Sequence, residues 1–450
     1  MDKNTLLLLG FLAGTAAAGV ALPFFLKRPW LAVFLPWMLP VMKGYLLVNF
    51  PATQVLDITV LTFIFLALFL VCGFAFRKLA WDRSYTVLVL LHLAVVAVLA
   101  VSYSWTTAPN YGFRKLGLFA IFNTICLILG VSVVRSTTDA RKIALWFGIL
   151  VFFMGISMLV SPSYMMGYKW QIRQTFAETS PGNAAFPLAV GAICSFIWLE
   201  RGKRFMFLVV PIWLVTFVAT YKTGSRSMIV QVLIGTVILG LMYKGLHRKI
   251  RVATILLVLL VSVTALISYS GTVGGRVLSF LQDPSYWLER SERPYLWAEA
   301  LKGFYQKPLF GHGVGAFAMN VKGADIIEYP HNFFLEVLYE GGLVCFVLFT
   351  LFWVLVGHYL FHWRRLNSRF GTTNTLYVQD LWLAVLAAAF LSTSVHWDIS
   401  GQRLLWLLVG ISLGTTRACN QEIAPDWEED YYPSDADLPE NEQELQYSDV

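Results

Sequence analysis

Apolar residues are gathered into long, nearly unbroken runs near residues 5–26, 29–49, 57–76, 84–104, 115–134, 142–162, 184–199, 204–220, 226–243, 251–269, 332–357, 377–395 and 402–416. Polar and charged positions are confined to the stretches between them. A bilayer core takes about 20 apolar residues per helical span. Lipid offers no partner for unpaired backbone groups, so uniformly apolar runs of this length predict helices. The pattern therefore predicts an all-α polytopic membrane protein of about 12 transmembrane helices. The first two runs are separated only by Lys27 and Arg28, and the second contains Pro36, Pro40 and Lys43. One of these two is expected to be broken or re-entrant. The first run is too long, and lacks the small-residue cleavage pattern, for a removable signal peptide.

Lys and Arg collect in alternate connections: Arg77, Lys78 and Arg83; Arg135, Arg141 and Lys142; Arg201, Lys203 and Arg204; Lys244, Arg248, Lys249 and Arg251; Arg364, Arg365 and Arg369. The positive-inside rule places these on the cytoplasmic side. Connections 105–114, 163–183, 221–225, 397–401 and, above all, 270–331 then face outward. The last carries six basic and six acidic residues. Pro294 follows Arg293, where proline suits a helix's first turn. Trp297, Leu301 and Phe304 recur at i, i+4 and i+7, so a short amphipathic helix on the outer membrane surface is expected, ending at Lys307, Pro308 and Gly311. Four regions follow: an N-terminal bundle of about 10 spans over 1–269, the outer loop domain 270–331, C-terminal transmembrane helices over 332–416, and a disordered acidic cytoplasmic tail over 417–450.

Composition agrees with the pattern. The 450 residues are 57% hydrophobic and 14% charged, whereas soluble domains run at about 45–50% apolar and about 25% charged. That excludes soluble enzymes, nucleic-acid binders and secreted disulfide scaffolds. The net charge of +7 hides an asymmetry: 11 of the 27 acidic residues lie in 421–450, which has no Lys or Arg. Such a segment reads as a solvated tail. Cys72, Cys126, Cys194, Cys345 and Cys419 are scattered, with no CxxC pair, and no acidic cluster suggests a metal.

Candidate chemistry concentrates on the outer side. Tyr329-Pro330-His331-Asn332-Phe333-Phe334-Leu335-Glu336 joins the outer loop to a long apolar run. An imidazole there can take a proton from a sugar hydroxyl; alternatively, His331 and Asn332 simply cap the helix. Arg226, at the outer end of a span, and Arg276, Arg290 and Arg293, in the outer loop, suit a diphosphate, whose oxygens match the guanidinium fork. Snorkelling to lipid phosphates is the alternative for each. Arg173 and Lys222 are further cations on the same side. Gly311-His312-Gly313-Val314-Gly315 follows no strand and precedes no phosphate-binding Lys-Ser/Thr pair, so it reads as a turn. His92 lies alone in a span as a core histidine, while His396 and Asp398 either assist the site or end two helices.

The combination of Ser225-Arg226, Arg293-Pro294-Tyr295-Leu296-Trp297, Lys307-Pro308-Leu309-Phe310-Gly311-His312-Gly313 and His331-Asn332 with Leu335-Glu336 and Gly341-Gly342 resembles the O-antigen ligase and polymerase superfamily of bacterial envelope transferases. The ligase signature reads His, then Asn, Ser or Gln, nine residues, Gly, two residues, then Gly, Thr or Tyr. His331, Asn332 and Gly342 fit it, and Cys345 occupies the last place. The resemblance implies a multi-pass bacterial inner-membrane protein with its site facing the periplasm. It would transfer a glycan from undecaprenyl diphosphate to an acceptor hydroxyl, inverting the anomeric carbon without cofactor, metal or nucleic acid. The acceptor would be the lipid A core for a ligase, another lipid-linked glycan for a polymerase, or a protein hydroxyl for an oligosaccharyltransferase. His331 would be the base, Arg226 and Arg293 the diphosphate clamp with Arg276 or Arg290 in support, and Glu336 would orient the imidazole. A lipid-linked glycan flippase or other transporter is the reading from a different class.

Overall fold

The structure, a computed structural model, describes residues 19–39, 57–160, 163–167, 171–175, 181–201, 205–223, 225–242, 292–396, 398–401 and 403–431. The helices are α1 (Ile58–Ala75), α2 (Arg83–Ser102), α3 (Pro109–Val133), α4 (Thr137–Val160), α5 (Pro181–Cys194), α6 (Met206–Lys222), α7 (Arg226–Met242), α8 (Arg293–Gln306), α9 (Phe317–Lys322), α10 (Phe333–Phe370), α11 (Thr373–Thr393) and α12 (Arg403–Tyr431). Polar residues in the breaks start them. Asp57, Asp82 and Thr372 accept the backbone N–H of Thr59, Ser84 and Thr375, the N-cap bond that satisfies an otherwise orphan donor. Among the described residues, α1, α2, α3, α4, α10 and α11 are long and apolar enough to cross a membrane. Helices α5, α6 and α7 are shorter apolar helices. The run expected at 251–269, most of that at 5–26 and the part of 29–49 after residue 39 lie outside the described residues.

Packing follows side-chain size. Gly130 of α3 and Gly410 of α12 let those helices touch backbone to backbone: an added Cβ would come 2.5 Å from the Leu407 carbonyl oxygen and 2.4 Å from that of Leu127. This is how small residues bring membrane helices together where burial of apolar surface gives no drive. Helix α11 is the most enclosed of the six candidate spans, and its C-terminal end runs into Ser394 and His396. Leu343, Val347, Leu351 and Val354 form an exposed apolar stripe on α10, the side a bilayer would cover. Helix α3 contains a π-helical stretch, Leu118–Asn123.

The glycine-rich loop supports a break in α10. Gly342 has φ +64° and ψ −165°, which interrupts the helical ladder. The freed carbonyls of Tyr339 and Glu340 accept the backbone N–H groups of His312 and Gly313 at 3.0 and 2.9 Å, and Leu343 N–H donates to the Pro308 carbonyl at 2.8 Å. Gly311 and Gly342 face each other so closely that a Cβ on Gly342 would lie 2.4 Å from the Leu309 backbone. The expected turn is thus a plug wedged against a transmembrane helix.

Three expectations are revised and one is extended. Residues 163–183 are not all loop: Ser163–Gly167 (β1) pairs antiparallel with Gln171–Thr175 (β2), with Met165 opposite Arg173. Part of the outward stretch 105–114 is the first turns of α3, capped from the outer loop by Asp325, which accepts Asn110 and Tyr111 N–H. Helix α8 also has a second, protein-facing side of Leu296, Ala300 and Gly303, next to the expected surface face of Trp297, Leu301 and Phe304. Gly303 decides this, because a Cβ there would meet the Tyr339 ring at 2.1 Å. Helix α12 continues to Tyr431, and Arg417 and Cys419 are buried in it, so the boundary expected at 416 falls inside a packed helix. Its early turns stay helical because they bury small and apolar groups against α3.

Gly342→Ala would place a Cβ at a positive φ against backbone and should cost on the order of 1–3 kcal/mol. A lowered melting temperature in detergent is the expected outcome. Gly357→Ala, in the same helix with nothing within 4 Å of the added methyl, should leave it unchanged or slightly raised.

Candidate active site

His331 is held by its own backbone and by the end of α11. Asn332 is the N-cap of α10: its side-chain oxygen accepts the N–H groups of Phe334 and Leu335 at 3.0 and 3.3 Å. Immediately before it, His331 adopts φ +54°, and among the described residues Arg77 alone shares a positive φ without being glycine. Such a conformation costs roughly 1–2 kcal/mol. His331 Nδ1 lies 2.9 Å from the His396 carbonyl oxygen. A carbonyl only accepts, so Nδ1 carries the proton and Nε2 keeps its lone pair in the neutral ring. Burial pushes the His331 pKa below the ordinary imidazole value, and the Arg293 charge pushes the same way, against the His396 carbonyl bond and the carboxylates of Glu328 and Asp398.

Arg293 opens α8, and its Nη2 donates to His396 Nδ1 at 3.4 Å. Trp297 Nε1–H donates to the Pro330 carbonyl at 2.9 Å, which ties α8 to the turn before His331. Phe333 N–H donates to the Ser394 carbonyl at 3.2 Å. The start of α8, the start of α10 and the end of α11 therefore meet at one place, and His331, Asn332 and Arg293 meet with them.

The other expected cations stand differently. Arg226 begins α7, and Ser392 Oγ donates to Gln231 Oε1 at 2.9 Å, so the start of α7 lies beside the end of α11. Its backbone is thus at the same end of the bundle as His396. Lys222, exposed at the end of α6, is three residues before Ser225 at the start of α7. The backbone of Arg173 is in β2. Arg276 and Arg290 lie outside the described residues.

Glu336 does not reach the imidazole. It forms an ion pair with Lys115, whose Nζ also donates to Glu340 Oε1 at 2.6 Å, and all three side chains are fully buried. Glu336 Oε2 accepts Ile399 N–H at 3.1 Å. Beside them, Asp398 accepts the Tyr111 hydroxyl at 3.2 Å, the Ser400 hydroxyl at 2.5 Å and Gly401 N–H at 2.7 Å. Lys115, Tyr111 and Glu340 were not identified as site residues from sequence. The available signals were their positions inside or beside apolar runs, where an ionisable group is rarely idle, and their i, i+4 spacing: Tyr111 with Lys115, Glu336 with Glu340.

Residues 211–350 match the family model described as O-antigen ligase, a stretch that holds Arg226, Arg293, His331, Glu336 and Glu340. The O-antigen ligase of Pseudomonas aeruginosa PAO1 is 23% identical over 290 residues, which are 61% of this chain and 65% of that protein, so the match spans less than two thirds of the relative's length. Both findings support the resemblance to the O-antigen ligase superfamily. A chain from a solved structure titled "Structural coordination of polymerization and crosslinking by a peptidoglycan synthase complex" has a TM-score of 0.40 and 16% identity, covering 76% of this chain and 100% of that one, a likeness too remote to carry an argument.

Lys115→Met would leave two buried carboxylates without their cation, a change that costs about 3–5 kcal/mol when one partner of a buried pair is removed. The expected outcome is loss of folded protein in detergent. Lys115→Met combined with Glu336→Gln and Glu340→Gln should recover a large part of it, as read by monodisperse yield and melting temperature.

Proposed function

We propose that this chain is a multi-pass transferase of the bacterial inner membrane, with about 12 spans and a site facing the periplasm. It moves a glycan from undecaprenyl diphosphate to an acceptor hydroxyl, with the lipid A core as acceptor. The observation that carries this reading is the His331–His396 bond, which leaves Nε2 of a neutral imidazole as the basic nitrogen, while the Arg293 guanidinium donates to the same His396.

In the reaction, His331 Nε2 takes the proton of the acceptor hydroxyl. The acceptor oxygen attacks the anomeric carbon from the face opposite the diphosphate, the new C–O bond forms with inversion, and the old C–O electron pair leaves on undecaprenyl diphosphate. In this reading Arg293 neutralises that developing charge. Arg226, with Arg276 and Arg290, completes the clamp in this reading, and Lys222 and Arg173 add positive charge around the entrance. The donor and acceptor are both carried in the membrane, which suits an enzyme whose machinery is built at the ends of apolar helices. No step calls on a cofactor or metal.

Polymerisation of the lipid-linked glycan is the second reading, favoured by Cys345 at the last place of the ligase signature. Transfer to a protein hydroxyl uses the same site chemistry. Transport of a lipid-linked glycan is the reading that needs no base.

Purified protein in nanodiscs, given undecaprenyl-diphosphate glycan with and without lipid A core, separates these readings by product size. A single conjugate with lipid A core is expected, and a ladder made without acceptor indicates the polymerase. Absence of any product would overturn the transferase reading. His331→Ala should lower the rate by about 10²–10⁴-fold, the usual contribution of a general base. Because the His331 pKa is lowered, activity should hold at neutral pH and fall only as imidazolium forms on acidification. The acid limb of the rate profile is expected below about pH 6.5. A limb at or above that value contradicts the assignment, since Arg293, Glu328, Tyr329, His396 and Asp398 are the groups that face the ring and set its titration.

A further inference from the structure

His331 takes its orientation from a backbone carbonyl in a connection, and a connection holds a carbonyl in place only if something holds the connection. The turn between α11 and α12 is neither helix nor strand at Asp398–Gly401. Among the described residues, buried side chains tie it down. Asn123 Nδ2–H donates to the Ile399 carbonyl at 2.9 Å while Glu336 Oε2 accepts Ile399 N–H at 3.1 Å, so both polar atoms of one peptide residue are taken. Asp398 gathers the Tyr111 hydroxyl, the Ser400 hydroxyl and Gly401 N–H around one carboxylate. Lys115, gripped in turn by Glu340, fixes Glu336 from the far side.

We infer that Glu336 and Asp398 are positioning residues for His331: by anchoring the 398–401 turn they hold the His396 carbonyl where it keeps the His331 proton on Nδ1 and the lone pair on Nε2. The inference rests on His331 being the base. Glu336 acts one step removed from the ring, through Ile399 and the turn. A histidine whose Nδ1 partner is lost can place its proton on either nitrogen, and the wrong tautomer presents N–H where the reaction needs a lone pair. Losing an outer partner of this kind typically lowers activity by about 10- to 100-fold.

The test is made on full-length protein in nanodiscs with histidine ring nitrogens labelled with ¹⁵N, the His331 signals being those that vanish in His331→Ala. Wild type should show the Nδ1–H form. Asp398→Asn puts an amide N–H₂ among three donors, and should give mixed tautomer signals together with a kcat lowered about 10- to 100-fold and an unchanged KM for the lipid-linked donor. Tyr111→Phe removes a single hydroxyl and should move both readouts in the same direction by less, with the melting temperature close to wild type; it replaces Asp398→Asn as the deciding variant if that protein fails to fold. A fall in kcat with the Nδ1–H signals intact, or wild-type kcat and signals in both variants, overturns the positioning role. Full activity in His331→Ala instead removes the base itself, and the nitrogen signals of the Asp398 and Tyr111 variants still report whether the turn controls the tautomer.

Discussion

An ammonium shared between two carboxylates, all three out of contact with water, is the constraint around which this end of the bundle is arranged. Taking Lys115, Glu336 and Glu340 out of solvent costs several kcal/mol per ion before any attraction is counted, and the cost is offset only where geometry is fixed on every side. The fixing is visible: α3 supplies the cation, α10 supplies both anions from successive turns, and the glycine-rich loop braces α10 just beyond them at Gly342. The glycines there are required by space, since each would drive a Cβ into neighbouring backbone. Stability and placement are therefore the same problem at this site.

The proposed chemistry would draw on that rigidity, because its base is a small ring on a residue at positive φ. His331 is reached by α8 through Trp297 and Arg293, by α10 through the Asn332 cap, and by α11 through the His396 carbonyl. None of these contacts is strong alone. Together they leave one nitrogen committed to the protein and the other available, with a cation a few ångströms from the partner histidine.

Much of this could be read from the sequence. The apolar runs mark the described helices closely, because lipid enforces one solution for an uninterrupted apolar segment. His331 and Asn332 stood out as a helix start, and Arg293 with Pro294 as another. What remained hidden depended on pairing across the fold. Lys115 pairs with residues more than 200 positions away, and as the first residue of an apolar run it looked like a boundary. Glu336 suggested a contact with the nearby imidazole because chain proximity was the available guide, and the structure turns it toward Lys115 and Ile399 instead. The protein-facing side of α8 was hidden because periodicity counts apolar groups, whereas the close approach of Tyr339 selects the absence of a side chain at Gly303.

The π-helical stretch in α3 has a consequence for chain length. Lys115 and Asn123, on either side of most of it, both serve the 398–401 turn, the first through Glu336 and the second directly. Eight uninterrupted α-helical steps would set their side chains roughly 80° apart around the axis, whereas absorbing one residue in the wider turn leaves about seven effective steps and brings them to within roughly 20°. Seven residues in regular α-helix would reach the same phase, so one residue between 118 and 123 is a surplus that only the wide turn absorbs, and straightening that turn at the present count would rotate the two ends about 100° out of phase. This span is specified by its count as much as by its composition.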